Sequence, residues 1–349
     1  MIPYLAIFVV ISALGLGIRN QQQRWILLFV LVFLFWFMGW RFYVGCDFLG
    51  YLSRYNNTFP WGSPLRALES KEPAFEFIMT FVKVNGFPYF LVNVICSAII
   101  LFSYLRYFKI SQHPLRELSL LFPVIIIQLS MSGLRQGIAV AMLTAACAEF
   151  IKGRRLATAA WIILAAQFHT SVAAFLPLAL LVGRSISFNQ LLLAVAVLTP
   201  VAAYLMGERF DDYADQYVRQ IYGESASAGA LPRYILVLLP SLYFWKFRKE
   251  FQEKMPEWYP LFQTFSLGVI FIAPLFLVSS LIVHRMTFYF MPVTIMIAAS
   301  AYMVFPNNRM LPFVRWAPFL MYGGYFLSWF ALSAHADSCY IPYQSYSFQ

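Results

Sequence analysis

Charge is scarce in this chain: Asp, Glu, Lys and Arg make up only 11% of its 349 residues, against about a quarter in soluble domains. That scarcity excludes a water-soluble globular fold, because hydrophobic residues reach 61% and a hydrated surface cannot hide so much apolar area. Cysteine and histidine are equally rare, with four of each. Cys46, Cys96, Cys147 and Cys339 lack zinc-like spacing, and His113, His169, His284 and His335 are scattered, so no metal motif is expected. Walker, dinucleotide-binding and nucleophile-elbow patterns are all missing, which leaves no visible means of using ATP and no expected cofactor. A formal net charge of +10 would suit nucleic acid, but the basic residues come in twos and threes between apolar runs, as membrane orientation signals do.

What the chain does have is a succession of apolar runs close to the roughly twenty residues that cross a hydrocarbon core about 30 Å thick. They are Ile2–Ile18, Trp25–Trp40, Phe87–Leu105, Leu118–Met131, Leu134–Ile151, Leu156–Val182, Phe188–Met206, Leu231–Phe247, Trp258–Ser279, Met286–Phe305 and Phe313–Leu332. No small-residue cleavage site follows the first, so it reads as a retained span. The run Leu156–Val182 is too long for one upright helix and carries Gln167 and His169 in its middle, which predicts two short or broken helices meeting near His169. The fold class is an all-α polytopic membrane protein of roughly eleven spans, or about twelve with that run split. Splitting it puts Arg19/Arg24, Arg106/Lys109/Arg116, Lys152/Arg154/Arg155, Arg184, Lys246/Arg248/Lys249/Lys254 and Arg309/Arg315 all in the cytoplasm. Both termini then fall outside.

Two longer polar segments collect on the outer face, residues 41–85 and 207–230. Pro60 and Pro64 mark turns in the first, and Glu72–Val84 lines up Phe75, Ile78, Met79 and Val82 on one helical face, an interfacial amphipathic helix. No internal repeat, low-complexity tract or soluble boundary is visible, so residues 1–349 read as a single transmembrane domain.

Chemistry is left to ionisable residues at the outer ends of spans: Arg41, Asp47 and Arg54 after the second, Glu72 opening the amphipathic helix, Arg135 with Gln136 opening another span, and Arg285 opening a late one. Such groups are costly unless paired or set in a wet cavity, which makes each a site candidate. The competing reading is an arginine that snorkels to lipid phosphates. It is weakest for Arg135, which follows Gly133 at a helix start in SMSGLRQGIAV; glycine, helix N-terminus and guanidinium together make an anion site suited to a phosphate-bearing ligand. His169 is either a packed histidine or, beside Thr170 and Ser171 at the proposed break, a group able to take a proton near neutrality, given an unperturbed pKa of about 6.5. Asp47 and Glu72 are carboxylates that could offset the positive field, orient the ring, or act as the base themselves. Cys96 and Cys147 lie inside spans, whereas Cys46 and Cys339 both fall outside, where a disulfide is conceivable.

In order along the chain, GWRFYVGCDFLGYLSRY, KEPAFEFIMTFVKVNG, SGLRQGIAVAML, KGRRLATAAWIILAAQFHTSVAAFLP and HRMTFYF resemble the EpsG-like family of polysaccharide polymerases, a Wzy-type group. The matches to its pattern are Arg41, Gly45, Asp47 and Tyr51; Glu72; Arg135, Gln136 and Ala139; Phe168, His169 and Ser171; and Arg285, Tyr289 and Phe290. Cys46 stands where members often carry threonine. The resemblance implies a metal-independent glycosyltransferase of GT-C-like membrane fold in the bacterial inner membrane. Its substrates would be undecaprenyl pyrophosphate-linked oligosaccharides, donor and acceptor, joined on the periplasmic side to build O-antigen, capsule or exopolysaccharide. His169, Asp47 and Glu72 would be the catalytic candidates, and Arg41, Tyr51, Arg135, Gln136, Arg285 and Tyr289 would bind substrate. Membrane lipids and a chain-length regulator protein would be partners, nucleic acid would not. A transporter or flippase for a lipid-linked glycan, or a membrane acyltransferase acting on an exported glycan, are the alternative readings.

Overall fold

A computed structural model describes residues 1–18, 20–58, 64–184, 189–190, 229–277, 279–306 and 309–348. The expected span Phe188–Met206 and the polar segment 207–230 lie almost wholly outside the described residues, as does Pro60. The protein is an all-α polytopic membrane protein. Among the described residues four helical stretches, Phe90–Phe108, Leu134–Ile151, Tyr259–Leu277 and Ser280–Val304, are long and apolar enough to cross a bilayer. The chain folds as two compact units: Met1–Leu180 with Trp316–Gln349, and Leu181–Arg315.

In the first unit, α1 (Ile2–Gly17) and α2 (Asn20–Gly39) are apolar on every side, the signature of helices set in lipid. On α2, Leu27, Val30, Leu31, Leu34, Phe37 and Met38 form the buried stripe, while Phe29 and Val32 on the opposite face are exposed and meet hydrocarbon, not water. Two short helices follow, α3 (Phe48–Asn57) and α4 (Pro73–Val84). The expected apolar face of α4 is the observed one: Phe75, Ile78, Met79 and Val82 are buried. Next come α5 (Phe90–Phe108) and α6 (Pro114–Leu121), which runs on as a nine-residue π-helix, Phe122–Ser130.

The centre of the unit is α7 (Leu134–Ile151), buried along nearly its whole length. Small residues make this possible, since Ala139, Ala141, Ala145, Ala146 and Ala148 let neighbouring backbones approach closely where no hydrophobic effect drives helices together. Gly137 serves the same end at the helix start, where a Cβ would stand 2.9 Å from the Cα of Ser130.

After α7 the long apolar run divides as its length requires. α8 covers Arg155–Ala166, a tight 3₁₀ segment covers Thr170–Leu181, and Gln167–His169 lie between them. Twelve residues of α-helix span about 18 Å, little more than half the hydrocarbon thickness.

The second unit is built from α9 (Ala230–Lys246), α10 (Arg248–Lys254), α11 (Tyr259–Ile272) with a 3₁₀ extension to Leu277, and α12 (Ser280–Val304). Its inner packing centres on Phe244, whose ring lies 5.4 Å from that of Phe251 and 5.5 Å from that of Tyr259. Arg285 does not open a span, as the hydropathy pattern implied: α12 begins at Ser280, with the Ser279 hydroxyl capping it by accepting the Ile282 N–H at 3.2 Å. The polar residues Ser280, His284 and Arg285 are its first turns, which a hydropathy window trims away.

The chain finishes with α13 (Leu311–Leu332) and α14 (Ala334–Tyr340), and the closing segment returns to the end of α2. Phe42 N–H bonds the Gln344 carbonyl at 3.0 Å, Tyr346 N–H bonds the Trp40 carbonyl at 2.8 Å, and Gly45 N–H bonds the Cys339 carbonyl at 2.8 Å. A Cys46–Cys339 disulfide fixes the pairing covalently. Between these contacts Gly45 adopts φ +103°, and a Cβ there would run into the Met131 carbonyl.

Gly45→Ala is therefore expected to lower the apparent melting temperature of the purified protein, by a loss of about 1–3 kcal/mol. Gly50→Ala, at a helical position with open space, should be neutral or slightly stabilising. Equal melting temperatures for the two variants would show that the 41–47 loop does not need its left-handed turn.

Candidate functional site

Three segments of the first unit meet at one carboxylate, and a fourth lies beside them. Pro73 occupies the first position of α4, where its fixed φ and missing N–H suit a helix start, so Glu72 is the last residue before the helix. The Glu72 side chain does not cap its own helix. Instead the Ala74 N–H, one of the orphan donors of that first turn, bonds the Gln167 carbonyl at the C-terminal end of α8, 3.1 Å away. A helix start is thereby set against a helix end, a favourable dipole arrangement, and Glu72 is brought to His169.

The Glu72 carboxylate uses both oxygens. Oε1 lies 2.6 Å from His169 Nδ1, and Oε2 accepts a hydrogen bond from Arg135 Nη1. Arg135 occupies the first turn of α7, whose N-cap is Gly133. The Arg135 guanidinium also acts on the Tyr51 hydroxyl through charge and a hydrogen bond, and Tyr51 packs its ring against Phe75 at 5.3 Å. Asp47, exposed at the N-cap of α3, completes the group: its Oδ2 lies 4.0 Å from where a Cβ on Gly133 would sit. Gln136 is half-buried beside Arg135. The structure thus brings together Asp47, Tyr51, Glu72, Arg135 and His169.

Exposure within this group is graded. The side chain of Glu72 is 9% exposed, that of His169 18% and that of Arg135 36%. The carboxylate is thus the buried pivot, and imidazole and guanidinium are the groups a ligand can reach. Burial pushes the Glu72 carboxyl up, but the hydrogen bond with His169 and the charge of Arg135 together outweigh it and hold the group below its ordinary value. An ionised carboxylate only accepts, so His169 Nδ1 donates the hydrogen bond to Glu72.

The other site candidates have different surroundings. Arg41 is 1% exposed; its Nε donates to the Val44 carbonyl at 3.2 Å and its Nη1 to the Met38 carbonyl at 2.5 Å. A guanidinium so enclosed braces the loop leading to Asp47. Arg285 and Tyr289 belong to α12 of the second unit, where Tyr289 is buried. Beside them Arg233 Nη1 contacts the His284 ring, 2.9 Å from Nδ1, and its guanidinium sits 5.3 Å from the centre of Phe288.

Ser132, Tyr340 and Glu76 carry no sequence signal that singles them out. The Ser132 hydroxyl accepts the Cys46 N–H at 2.9 Å and lies 2.5 Å from the Tyr340 hydroxyl, tying the turn before Arg135 to the loop before Asp47. Arg54 and Glu76 pair at 2.5 Å and hold α3 to α4. Cys46, His335 and Cys339 bring three metal-ligand atoms within 4.8 Å of one another, but sulfurs joined in a disulfide are not thiolate ligands.

The fold and this cluster define a membrane-embedded protein with a carboxylate, an imidazole and a guanidinium joined at a helix junction. The model of the EpsG family matches residues 24–345, and the chain belongs to that family, which is related to Wzy-like polysaccharide polymerases. No curated protein and no solved structure gives a match.

The Glu72 position makes a pH-dependent contribution with a defined sign. Its folded-state pKa is depressed, so its stabilisation is complete above the unfolded value of about 4.3 and is lost as pH falls through the folded one. Glu72→Gln should be less stable than wild type at pH 7, and the gap should close as pH falls below the unfolded value of about 4.3. A gap independent of pH in thermal unfolding of the two proteins would mean that the carboxylate is not held by its partners.

Proposed function

We propose that the protein is a polysaccharide polymerase that transfers a glycan from a polyprenyl pyrophosphate carrier, of the undecaprenyl type, onto a second carrier-linked repeat unit at the outer face of the bacterial inner membrane. The observation that carries the reading is the Glu72 carboxylate held between His169 and Arg135 in a chain of the EpsG family. In this mechanism the acceptor hydroxyl oxygen attacks the anomeric carbon of the donor sugar while the bond from that carbon to the pyrophosphate oxygen breaks. The hydroxyl proton passes to His169 Nε2. Glu72 keeps the ring oriented and stabilises the imidazolium that results. Arg135, with the N-terminus of α7 behind it, faces the pyrophosphate as negative charge grows on the leaving group. Asp47 and Tyr51 hold the acceptor, and Arg41 positions their loop. The reaction is of the metal-independent GT-C type, with Arg135 supplying the positive charge.

Outward orientation is supported by chemistry next to Asp47. A Cys46–Cys339 disulfide belongs to an oxidising compartment, whereas a cytoplasmic loop would keep its thiols reduced. Both termini and residues 41–85 then lie in the periplasm, and a chain-length regulator protein could meet the enzyme there. In intact cells, a membrane-impermeant maleimide should label a cysteine placed at exposed Asn57 and not one at exposed Gln112. Labelling of Gln112→Cys alone would invert the topology.

Turnover with a defined carrier-linked repeat unit tests the chemistry. His169→Gln should lower the rate at saturating substrate by roughly 10²- to 10⁴-fold, the usual worth of a positioned base, while donor binding persists. Arg135→Lys keeps the charge but loses the planar fork, and should impair turnover as well. A His169→Gln enzyme that keeps most of its rate and the wild-type pH profile would remove histidine from the proton transfer.

A further inference from the structure

The membrane-facing side of the first unit carries an apolar groove that ends at the cluster. Its outer part, about 450 Å³, lies between Pro73, Phe77, Ile95, Ile99 and Phe168. A second hollow of about 440 Å³, between Ile99, Phe102, Met142, Trp161 and Leu164, continues it deeper along α5 and α8. Ile99 lines both. The stretch Ile95–Phe102 covers about 10 Å of helix, a third of the hydrocarbon core.

Two features distinguish this groove from an ordinary lipid-facing seam. Its polar residues are already satisfied by their own helices: Ser103 donates to the Ile99 carbonyl at 2.8 Å, and Gln167 Nε2 to the Ile163 carbonyl at 3.1 Å. Apart from the rest of the Gln167 amide, the walls therefore offer hydrocarbon contact. Its outer end, by contrast, is formed by Pro73 and Phe168, the chain neighbours of Glu72 and His169, so hydrocarbon surface gives way within one residue to the carboxylate and imidazole, with the Arg135 guanidinium bonded to that carboxylate. A ligand matching both parts has an anionic head and a long apolar tail.

We infer that the groove seats the first isoprenoid units of the lipid-linked donor, with the pyrophosphate directed to Arg135; this rests on the polymerase reading above. Ile99 and its neighbours bind the tail, while the cluster handles the sugar and phosphate. The tail thereby fixes the depth at which the anomeric carbon meets His169.

The test compares two donors bearing the same glycan pyrophosphate, one on a long polyisoprenyl tail and one short-tailed, with a methyl group in place of every isoprenoid unit, using wild type and Ile99→Trp in phosphatidylglycerol vesicles. Filling the groove should raise KM for the long-tailed donor by about tenfold, a difference of about 1.4 kcal/mol in binding, and leave the short-tailed donor unchanged. Equal shifts for both donors, or none, overturn the inference. Because the tryptophan variant could misfold, wild type is also photolabelled with a diazirine-bearing polyisoprenyl pyrophosphate. Adducts on residues 95–102 and 161–164 support the groove. Adducts elsewhere, or adducts displaced equally well by phosphatidylglycerol, overturn it. A wild type that elongates neither donor sinks the polymerase reading itself, and the adduct map still decides where the tail lies.

Discussion

Everything around the candidate site is organised by one carboxylate that cannot afford to stand alone. Glu72 is nearly buried, and an unpaired buried charge costs several kcal/mol. It is tolerable only because a guanidinium and an imidazole meet it from two other segments. Each partner is in turn set by a break in regular structure: Arg135 by the turn that ends the π-helix and starts α7, His169 by the interruption between α8 and the 3₁₀ segment. The interaction thus explains why these helices stop where they do. A continuous helix through residues 156–182 would have no free end to receive the Ala74 amide and no corner for the histidine.

Much of this was legible in the sequence because lipid imposes simple rules. Apolar runs near twenty residues mark spans, and a run too long for one span with a polar centre marks a break, which is where His169 is found. The period of Phe75, Ile78, Met79 and Val82 marked the buried face of α4. Glycine before an arginine marked the start of α7. What periodicity cannot convey is pairing at a distance. Glu72, Arg135 and His169 are up to 97 residues apart, and only the fold decides that Glu72, and not Asp47, reaches the imidazole. The same limit applies to Arg41, whose exposure depends on the Val44 carbonyl curling back over it. It applies equally to Ser132 and Tyr340, unremarkable residue types whose hydroxyls meet across the chain. No change in composition announces the division near Leu180, since both units are dissolved in the same hydrocarbon.

Membrane packing also accounts for where the cluster sits. α7 is buried through alanine and glycine, which allow close backbone approach, and Arg135 projects from its end and not its middle. The surrounding elements are short or tightly wound: α3, α4, α8, the π-helix and the 3₁₀ stretch. Short elements present many termini, and helix termini are where backbone donors and charged ligands meet.

The closing segment adds an order of events to this architecture. Residues 339–346 supply the backbone partners of Trp40, Phe42 and Gly45, and Cys339 supplies the covalent partner of Cys46, 293 positions earlier. Synthesis runs from the N-terminus, and early portions fold as they emerge. The spans of the first unit are therefore in the bilayer long before the loop beside Asp47 can close. A nascent chain halted after His169 but before Cys339 holds every member of the carboxylate cluster yet lacks the strap that braces its loop. Completion of the site waits on translation as far as residues 339–346, so that a copy halted earlier has an unlocked loop while its lipid-soluble helices are already in place.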